Sequence, residues 1–289
     1  MLLLVPNISE GRDAGVIAAV AAAYTDAGAV LLDTHSDPDH HRTVHSLAVP
    51  DPAAVPGILR AGLRVAIERI DLTAQDGLHP CVGALDVAPV VHLSDDERGL
   101  ACAAALTAAE TLGAELPVLL YGVLAGGRSR AEIRRGGREG LQHRLQAGEM
   151  RADFGPQTLH PTAGAVLVSA RPPLVAFNIE LAAGASLGHA QVIAAAVREG
   201  GAEGLPGVRA IGLQLTRDDG LGVVQVSTNV EDHRAVSLGT LVEAVSRHAE
   251  VTGAELVGLA PEAAFDGFPD AVPVRGRRTV EDALDGVSS

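Results

Sequence analysis

The chain contains no lysine, so all 22 of its basic residues are arginines. A Schiff-base lysine, a pyridoxal-phosphate anchor, a P-loop lysine and a kinase lysine are therefore excluded. It also has no tryptophan, two tyrosines and four phenylalanines, which leaves few rings for stacking on bases. With a formal net charge of -14, this shortage argues against nucleic acid as a partner, because phosphate contacts need a clustered basic surface. An anionic small molecule would need a local arginine pocket.

Cysteine and long hydrophobic runs are scarce as well. Cys81 and Cys102 make neither a disulfide framework nor a zinc set, which agrees with a reducing compartment. No stretch approaches the roughly 20 apolar residues that span a bilayer, and residues 1–6 lack the basic start of a signal peptide. We therefore expect a cytoplasmic protein that does not bind membranes. At 289 residues and 47% hydrophobic content, the chain can bury a large core.

Short apolar runs alternate with longer alanine-rich amphipathic stretches, which predicts α/β layering. Helices are predicted at 14–27, 52–70 and 95–115, with Asp13, Asp51 and Ser94 as caps. The segment 128–152 is charged and interrupted by glycines, and we expect a partly helical surface excursion without catalytic residues. Strands are predicted at 2–5, 30–32, 43–49, 87–92, 118–121 and 165–170.

A second α/β unit is predicted after Pro172 and Pro173, because two prolines would interrupt any sheet. Its predicted strands lie at 174–179, 208–215, 222–228 and 254–259, and its predicted helices at 187–198 and 238–250. Beyond Pro269 the chain is polar, and we expect it to wrap the surface or to be disordered.

One histidine, His79, lies within the stretch DGLHPCVGALD at residues 76–86. Pro80 biases His79 toward an extended backbone, and Gly77 and Gly83 permit tight bends on either side. Histidine has the unperturbed side-chain pKa nearest neutrality, so a histidine aimed in this way is a candidate general acid or base. The alternative is a His-Pro pair that only shapes the loop.

A second cluster, HSDPDHHR at residues 35–42, puts three histidines and two carboxylates into a predicted loop after a strand. Imidazole and carboxylate suit zinc or manganese, but contiguous ligands lack the spacing of a metal signature. Polar loop residues that cap the next strand are one alternative. Substrate contacts from His35 and Arg42 are another, and we expect no metal.

Two further loops are candidate binding segments. PNISEGR at residues 6–12 follows the first predicted strand, where ligands bind in α/β layers, so Asn7 and Glu10 are candidate contacts. The alternative there is a turn and a helix start. FGPQTLHPTAG at residues 154–164 is a long glycine- and proline-framed loop. It contains neither a dinucleotide nor a phosphate-loop signature.

Ordered motifs along the chain resemble the glutamate formimidoyltransferase family, which in some organisms forms the N-terminal part of a bifunctional formimidoyltransferase-cyclodeaminase. They span about residues 3–265, and their order is more specific than any single motif. In chain order they are VPNISEGRD, LLDTHSDPDHHRTV, HPCVGALDVAP, LYG at 120–122, DFGPQTLHPTAGA, LVAFNIEL, VQVSTNV and ELVGLAPEAA.

The resemblance implies a transferase of histidine degradation and one-carbon metabolism. It would move the formimidoyl group from N-formimidoyl-L-glutamate to a ring nitrogen of tetrahydrofolate, its co-substrate, and release glutamate without a metal. The catalytic histidine of the family corresponds to His79, as a proton shuttle. The folate-binding segment of the family corresponds to Gly155, Pro156, Gln157, Thr158, Leu159, His160, Pro161, Thr162, Ala163 and Gly164.

The resemblance also implies a domain organisation. Two α/β subdomains, at residues 1–172 and 173–268, would face each other through mixed sheets, with helices outside, the substrate cleft between them and a polar tail at 269–289. We expect small-molecule substrates, a homodimer, and no cyclodeaminase activity because that domain is absent.

Three positions depart from the animal members of the family. Cys81 replaces a basic residue, Ala163 an aromatic one and His35 an acidic one. We expect these changes to weaken stacking on the pterin and to alter recognition of the glutamate carboxylates. Cys81 beside His79 also allows a Cys-His nucleophile.

Two functions of other classes remain open. One is a folate-binding protein that retains the cleft without catalysis. The other is a metal-dependent hydrolase that uses His35, Asp37, Asp39 and His41.

Overall fold

The computed structural model describes residues 1–216 and 222–288, and the chain divides into two compact units, Met1–Pro172 and Pro173–Ser289. Each unit combines a mixed sheet with helices, which confirms the predicted α/β class. Within the described residues, no helix is long and apolar enough to cross a membrane. The cleft between the subdomains stays a prediction.

The first unit has a seven-stranded sheet in the order β1-β4-β2-β5-β7-β6, with β3 on the outer side of β4. Its strands are β1 (Leu2–Leu4), β2 (Asn7–Ile8), β3 (Val30–Asp37), β4 (Arg42–Val49), β5 (Leu85–Val91), β6 (Val118–Leu120) and β7 (Val166–Arg171). Its helices are α1 (Ala14–Asp26), α2 (Val55–Arg69), α3 (Arg98–Gly113), α4 (Arg130–Arg134) and α5 (Gly137–Gln146). Short 3-10 turns lie at Pro52–Ala54, Leu72–Ala74, Asp95–Glu97 and Gly122–Ala125.

β1 and β2 both lie between β4 and β5, and Pro6 separates them. Proline has no N–H to donate to a neighbouring strand, so the pairing is interrupted there. The carbonyl oxygen of Pro6 still accepts from the His45 N–H at 3.0 Å. Asn7 therefore re-enters the sheet opposite Val44 of β4 and Val87 of β5.

Helices α1, α2 and α3 bury their apolar faces in the main core of this unit. The predicted cap of α1 is present, because Asp13 accepts from the N–H groups of Gly15 and Val16. A Cβ on Gly62 of α2 would lie 2.0 Å from the ring of Tyr24 on α1. Only glycine therefore permits this close approach of the two helices.

Residues 35–42 form the turn end of the β3–β4 hairpin, so the predicted loop is wrong for residues 35–37 and 42. β3 continues through His35 to Asp37, and β4 begins at Arg42. Only residues 38–41 connect the strands, and His41 has a φ of 49°. Among the described strands, β3 pairs only with β4, so this polar segment is an edge strand.

The segment 128–152 contains α4 and α5, and it is not merely a surface excursion. Ile133, Leu141 and Leu145 are buried in a second apolar cluster that also contains Leu119 and Tyr121. This packing fixes the position of the arginines on α4. One of them, Arg134, reaches Asp86 of β5.

The second unit contains β8 (Val175–Leu181), α6 (Leu187–Val197), β9 (Val208–Thr216), β10 (Gly222–Val230), α7 (Leu238–Ser246), β11 (Val251–Val257), a 3-10 turn at Glu262–Phe265, β12 (Val274–Arg275) and α8 (Val280–Ser288). The sheet order is β12-β11-β8-β10-β9. Pairing is antiparallel except between β11 and β12.

Residues 269–288 form β12 and α8 of this unit, so the expectation of a disordered tail is wrong for them. β12 pairs with β11, and Val280 and Ala283 of α8 are buried. Arg275 on β12 also forms ion pairs with Glu180 at 2.6 Å and with Glu255 at 3.2 Å. Strand pairing and apolar burial together hold the segment.

Candidate functional site

The loop that carries His79 is pinned to the turn of the β3–β4 hairpin. Leu78 N–H donates to the carbonyl oxygen of Asp39 at 3.0 Å. A Cβ on Gly77 would lie 2.4 Å from the carbonyl oxygen of His40, so only glycine fits this contact. The hairpin therefore sets the position of the His79 backbone.

Gly83 plays the same role on the other side of His79. A Cβ there would lie 1.9 Å from the carbonyl oxygen of Ala165. Neither Gly77 nor Gly83 has a positive φ. Close backbone approach, rather than the predicted tight bends, therefore requires these two glycines.

Gln75 links the His79 loop to two other segments. Its Nε2 donates to the carbonyl oxygens of Ser9 at 3.1 Å and His41 at 3.0 Å. Its Oε1 accepts from the N–H of Gly77 at 2.9 Å. One partly buried amide thus joins the loop after β2, the hairpin and the His79 loop, and this network limits their relative movement.

His79 is half-buried, and its Nδ1 is buried without a hydrogen-bond partner among the residues that the structure describes. Its ring lies 6.4 Å from that of His40 between centroids. Burial, followed by the positive charges of Arg42 and Arg134, holds the pKa of His79 well below its ordinary value, against an opposing effect of Asp86. The imidazole is therefore neutral at neutral pH and able to accept a proton.

Asp86 is the anionic centre of the site and is fully buried on β5. Its Oδ2 accepts from Arg42 Nη1 at 2.8 Å and also from Arg134 Nη2. Its Oδ1 accepts from the N–H of Val82 at 2.8 Å. Burial alone would raise the pKa of Asp86, but the charges of Arg134 and Arg42 outweigh it and hold the pKa below its usual value. Asp86 is therefore a carboxylate at neutral pH.

Asn7 and Arg42, two of the predicted binding residues, belong to this cluster. Arg42 Nε donates to Asn7 Oδ1 at 3.1 Å, and Asn7 Nδ2 donates to the carbonyl oxygen of Val5 at 2.9 Å. Glu10 lies at the start of α1 instead, where its Oε1 accepts from the N–H groups of Arg12 and Asp13. Glu10 therefore caps the chain before α1, and its ligand contact stays a prediction.

The remaining residues of the 35–42 cluster are paired locally. His40 Nδ1 lies 3.0 Å from Asp37 Oδ2, and His41 Nδ1 accepts from the N–H of Gly11 at 3.0 Å. His35 is half-buried on β3 opposite Val44. Across residues 1–216 and 222–288, no three His, Cys, Asp or Glu side chains are grouped to hold a metal ion. The geometry therefore gives the metal alternative no support.

Cys81 is a partly buried thiol near the same cluster. Burial raises its pKa first, and Asp86 raises it further, against smaller effects of Ser9 and the two arginines. The thiolate is the reactive form of cysteine. These surroundings therefore disfavour the Cys-His nucleophile.

The predicted folate segment lies in two places. Its end runs beside the continuation of the His79 loop, since Ala84 N–H donates to Ala163 O at 2.9 Å and Ala165 N–H to Val82 O at 3.0 Å. A Cβ on Gly164, whose φ is 68°, would lie 2.0 Å from Val82 O. Ala163 is fully buried in the core. A ligand contact by its methyl group would require the segment to open.

The start of the segment lies near α3 and α5, and residues 155–158 are exposed. A Cβ on Gly155 would lie 2.5 Å from the carbonyl oxygen of Gly113 at the end of α3. Leu159 N–H donates to Gln142 Oε1 at 2.8 Å. His160 Nδ1 accepts from Ala163 N–H at 3.0 Å, so the ring helps to shape the loop.

A groove of about 630 Å³ lies elsewhere, between α1 and β3. Thr34 and Ser36 line it, so it lies on the opposite face of β3 from His35. Arg12 is the charged residue of its lining, which is otherwise small or apolar. The groove lacks a titratable group for proton transfer, and we do not assign the site to it.

Arg134 is the residue of the site that the sequence did not reveal. It comes from α4, 48 residues beyond Asp86, in a segment rich in exposed charge. Its side chain is nevertheless only 11% exposed. Asp86 ends the motif at residues 76–86, but the sequence assigned it no function. The pairing of Asp86 with two arginines is visible only in three dimensions.

Two family models match the chain, one for each unit. The formiminotransferase domain, N-terminal subdomain, matches residues 1–171, and the formiminotransferase domain matches residues 176–267. The chain belongs to the formiminotransferase family. The predicted family is thereby confirmed, and the region around His79 lies within the N-terminal subdomain of that family.

Curated relatives agree with this membership. The chain is 37% identical over 277 residues to formimidoyltransferase-cyclodeaminase of Sus scrofa, covering 89% of this chain and 49% of that protein. It is 35% identical over 272 residues to glutamate formimidoyltransferase of Streptococcus pyogenes serotype M1, covering 90% and 89%. It is also 32% identical to glutamate formimidoyltransferase of Thermoplasma acidophilum, and this match covers 90% of this chain and 88% of that protein. The chain thus spans about half the length of the bifunctional relatives.

Proposed function

We propose that this chain is an enzyme that transfers the formimidoyl group from N-formimidoyl-L-glutamate to tetrahydrofolate and releases L-glutamate. This places it in histidine degradation and one-carbon metabolism. The observation that carries the proposal is His79, a neutral imidazole with an unpartnered buried nitrogen beside Arg42, Asp86 and Arg134. The names of the relatives and the family membership support the same reaction.

The reaction needs two proton movements that one base can perform. A ring nitrogen of tetrahydrofolate attacks the amidine carbon of the donor and must lose its proton. The bond between that carbon and the glutamate nitrogen then breaks, and this nitrogen must gain a proton. His79 accepts the first proton and donates the second, so the group ends the cycle as it began. Its lowered pKa keeps the ring in the neutral form, which is the form that accepts a proton.

Asp86 and the two arginines support this proton transfer. The carboxylate of Asp86 favours the imidazolium form of His79, while Arg42 and Arg134 disfavour it. The protonated state is therefore short-lived, which favours return of the proton to the leaving nitrogen. Holding both substrates in one orientation supplies much of the remaining acceleration.

The binding residues are part of the proposal. Arg42 and Asn7 lie within the charged cluster, and Glu10 and His35 lie on the neighbouring loop and strand. Residues 155–164 would contact tetrahydrofolate. The exposed part, residues 155–158, is the most accessible portion of that segment.

The test is an assay of the purified chain with tetrahydrofolate and N-formimidoyl-L-glutamate, in which both the folate product and L-glutamate are measured. Equal amounts of the two products are expected, and neither product without tetrahydrofolate. Loss of the donor without tetrahydrofolate would indicate a hydrolase instead. Binding of tetrahydrofolate without turnover of any formimidoyl or formyl donor would indicate an inactive binding protein.

We also propose a cytoplasmic homodimer. The free thiols Cys81 and Cys102 support a reducing compartment. Light scattering of the purified chain measures the oligomeric state directly. A mass of 29.5 kDa in solution would be that of a monomer and would contradict the dimer.

A further inference from the structure

The charges around Asp86 do not balance. Arg42 and Arg134 both contact the same carboxylate oxygen, and their side chains are only 10% and 11% exposed. Among the described residues, neither guanidinium has a second carboxylate at ion-pair distance. Because His79 is neutral, the buried cluster carries one excess positive charge. Excess buried charge is unfavourable unless a counter-charge arrives.

Two atoms of the cluster also lack hydrogen-bond partners within the described part of the chain. Arg134 Nε and His79 Nδ1 are both buried and unpaired. Arg134 can donate through Nε and an Nη in the planar arrangement that matches the two oxygens of a carboxylate. Positive charge and an unpaired donor thus occur on the same side chain, close enough to His79 to affect its pKa.

We propose that Arg134 and Arg42 form a carboxylate subsite that binds the α-carboxylate of the glutamyl donor beside His79. This inference rests on the proposed function, because it names how the donor of that reaction is recognised. The bound carboxylate supplies the missing negative charge. It also makes Arg134 a residue that determines donor specificity.

The chemistry of the donor selects its α-carboxylate. This group is separated from the nitrogen that His79 protonates only by the α-carbon, so a base that reaches that nitrogen lies beside the α-carboxylate. The γ-carboxylate is farther along the side chain. The carboxylates on the glutamate tail of tetrahydrofolate lie beyond the aminobenzoyl ring, away from the reacting ring nitrogen. A cationic group beside His79 therefore fits the donor better than the folate tail.

The kinetic test compares two donors that differ in one group. N-formimidoyl-L-glutamate has the α-carboxylate, and N-formimidoyl-4-aminobutyrate lacks it. We expect the native chain to prefer the first by at least about a hundredfold in kcat/KM, because without the α-carboxylate the excess positive charge of the buried cluster stays uncompensated. Arg134→Met should reduce this preference by about tenfold or more. Arg134→Lys, which keeps the charge without the fork, should be intermediate.

Arg135→Met is the matched control, because Arg135 is the next residue and its side chain is exposed. It should leave the donor preference within about twofold of the native value. Equal use of both donors by the native chain would overturn the subsite. So would a rise in the KM for tetrahydrofolate, rather than for the donor, in Arg134→Met.

A binding experiment separates this proposal from the proposed function. L-glutamate and 4-aminobutyrate are titrated into chain labelled at histidine, and the His79 resonance, assigned with His79→Gln, is followed by NMR. L-glutamate should shift this resonance and bind at least about tenfold more tightly than 4-aminobutyrate. Equal affinities would contradict the subsite even if Arg134→Met failed to fold. A chain without turnover on any donor would refute the reaction, while the L-glutamate titration would still decide the subsite.

Discussion

Replacing Arg144 with methionine tests whether one buried guanidinium holds Arg134 in the site. Arg144 lies on α5 and is only 7% exposed. It donates to the carbonyl oxygens of Glu132, Ile133 and Arg135 at 3.0, 2.6 and 2.9 Å, and to that of Gly140 at 3.2 Å. The first three flank or precede Arg134 at the end of α4, where backbone carbonyls have no partner within the helix.

The magnitude follows from the carbonyl groups that lose their donor. Each buried acceptor left unsatisfied costs about 1–3 kcal/mol. The segment can shift toward water, so we expect a total loss of about 2–4 kcal/mol in the free energy of unfolding rather than the full sum. For a unit of this size, the melting temperature should fall by about 5–15 °C. Displacement of Arg134 should also raise the KM for the donor by about tenfold.

Calorimetry and steady-state kinetics on the same preparations measure both effects. Arg144→Lys keeps the charge but not the planar fork and should recover only part of the donor affinity. Arg135→Met again serves as the exposed control. A lower melting temperature with an unchanged donor KM would show that Arg144 stabilises the fold without positioning Arg134. An unchanged melting temperature would refute the energetic reasoning as well.

Three further predictions concern pH, metal and ligand. Burial lowers the pKa of His45 to about 4, so the unfolded chain binds a proton that the folded chain does not as pH falls from about 6.5 to about 4. In denaturant titrations the native chain should lose roughly 3 kcal/mol more than His45→Gln across this window, and equal pH dependence in both would contradict the prediction. Every step of the proposed reaction needs only proton transfer and positioning, so turnover with a chelator should stay within about twofold of turnover without it. Loss of turnover that zinc restores would favour the metal-dependent hydrolase instead. Saturating tetrahydrofolate should slow amide exchange in residues 155–164, and unchanged exchange would remove this segment from the site.

The alternation of strands and helices could be predicted because it depends on local hydrophobic periodicity. Hydrophobic periodicity did not predict the full length of the edge strand β3. Residues 33–37 of β3 are polar and only partly covered, so their sequence is like that of a loop. Their strand is fixed by pairing with β4, which is not a local property.

The residues of the candidate site also differ in how far local sequence predicts them. His79 could be identified from its motif, since neighbouring residues define it. Arg134 could not, because a charged and glycine-rich segment is typical of a solvated surface, and charged residues are rarely buried unless they are paired. Only the packing of Ile133 and the hydrogen bonds of Arg144 bring that arginine to Asp86.

The central claim is that His79 moves the protons of the reaction, and His79→Ala tests it most directly. Turnover, tetrahydrofolate affinity and melting temperature should be measured side by side, with Cys81→Ser as the neighbouring control. We expect turnover to fall by about a hundred- to ten-thousandfold in His79→Ala, with the other two quantities nearly unchanged and turnover largely retained in Cys81→Ser. Near-native turnover of His79→Ala, or a parallel loss of stability and folate affinity, would contradict the account.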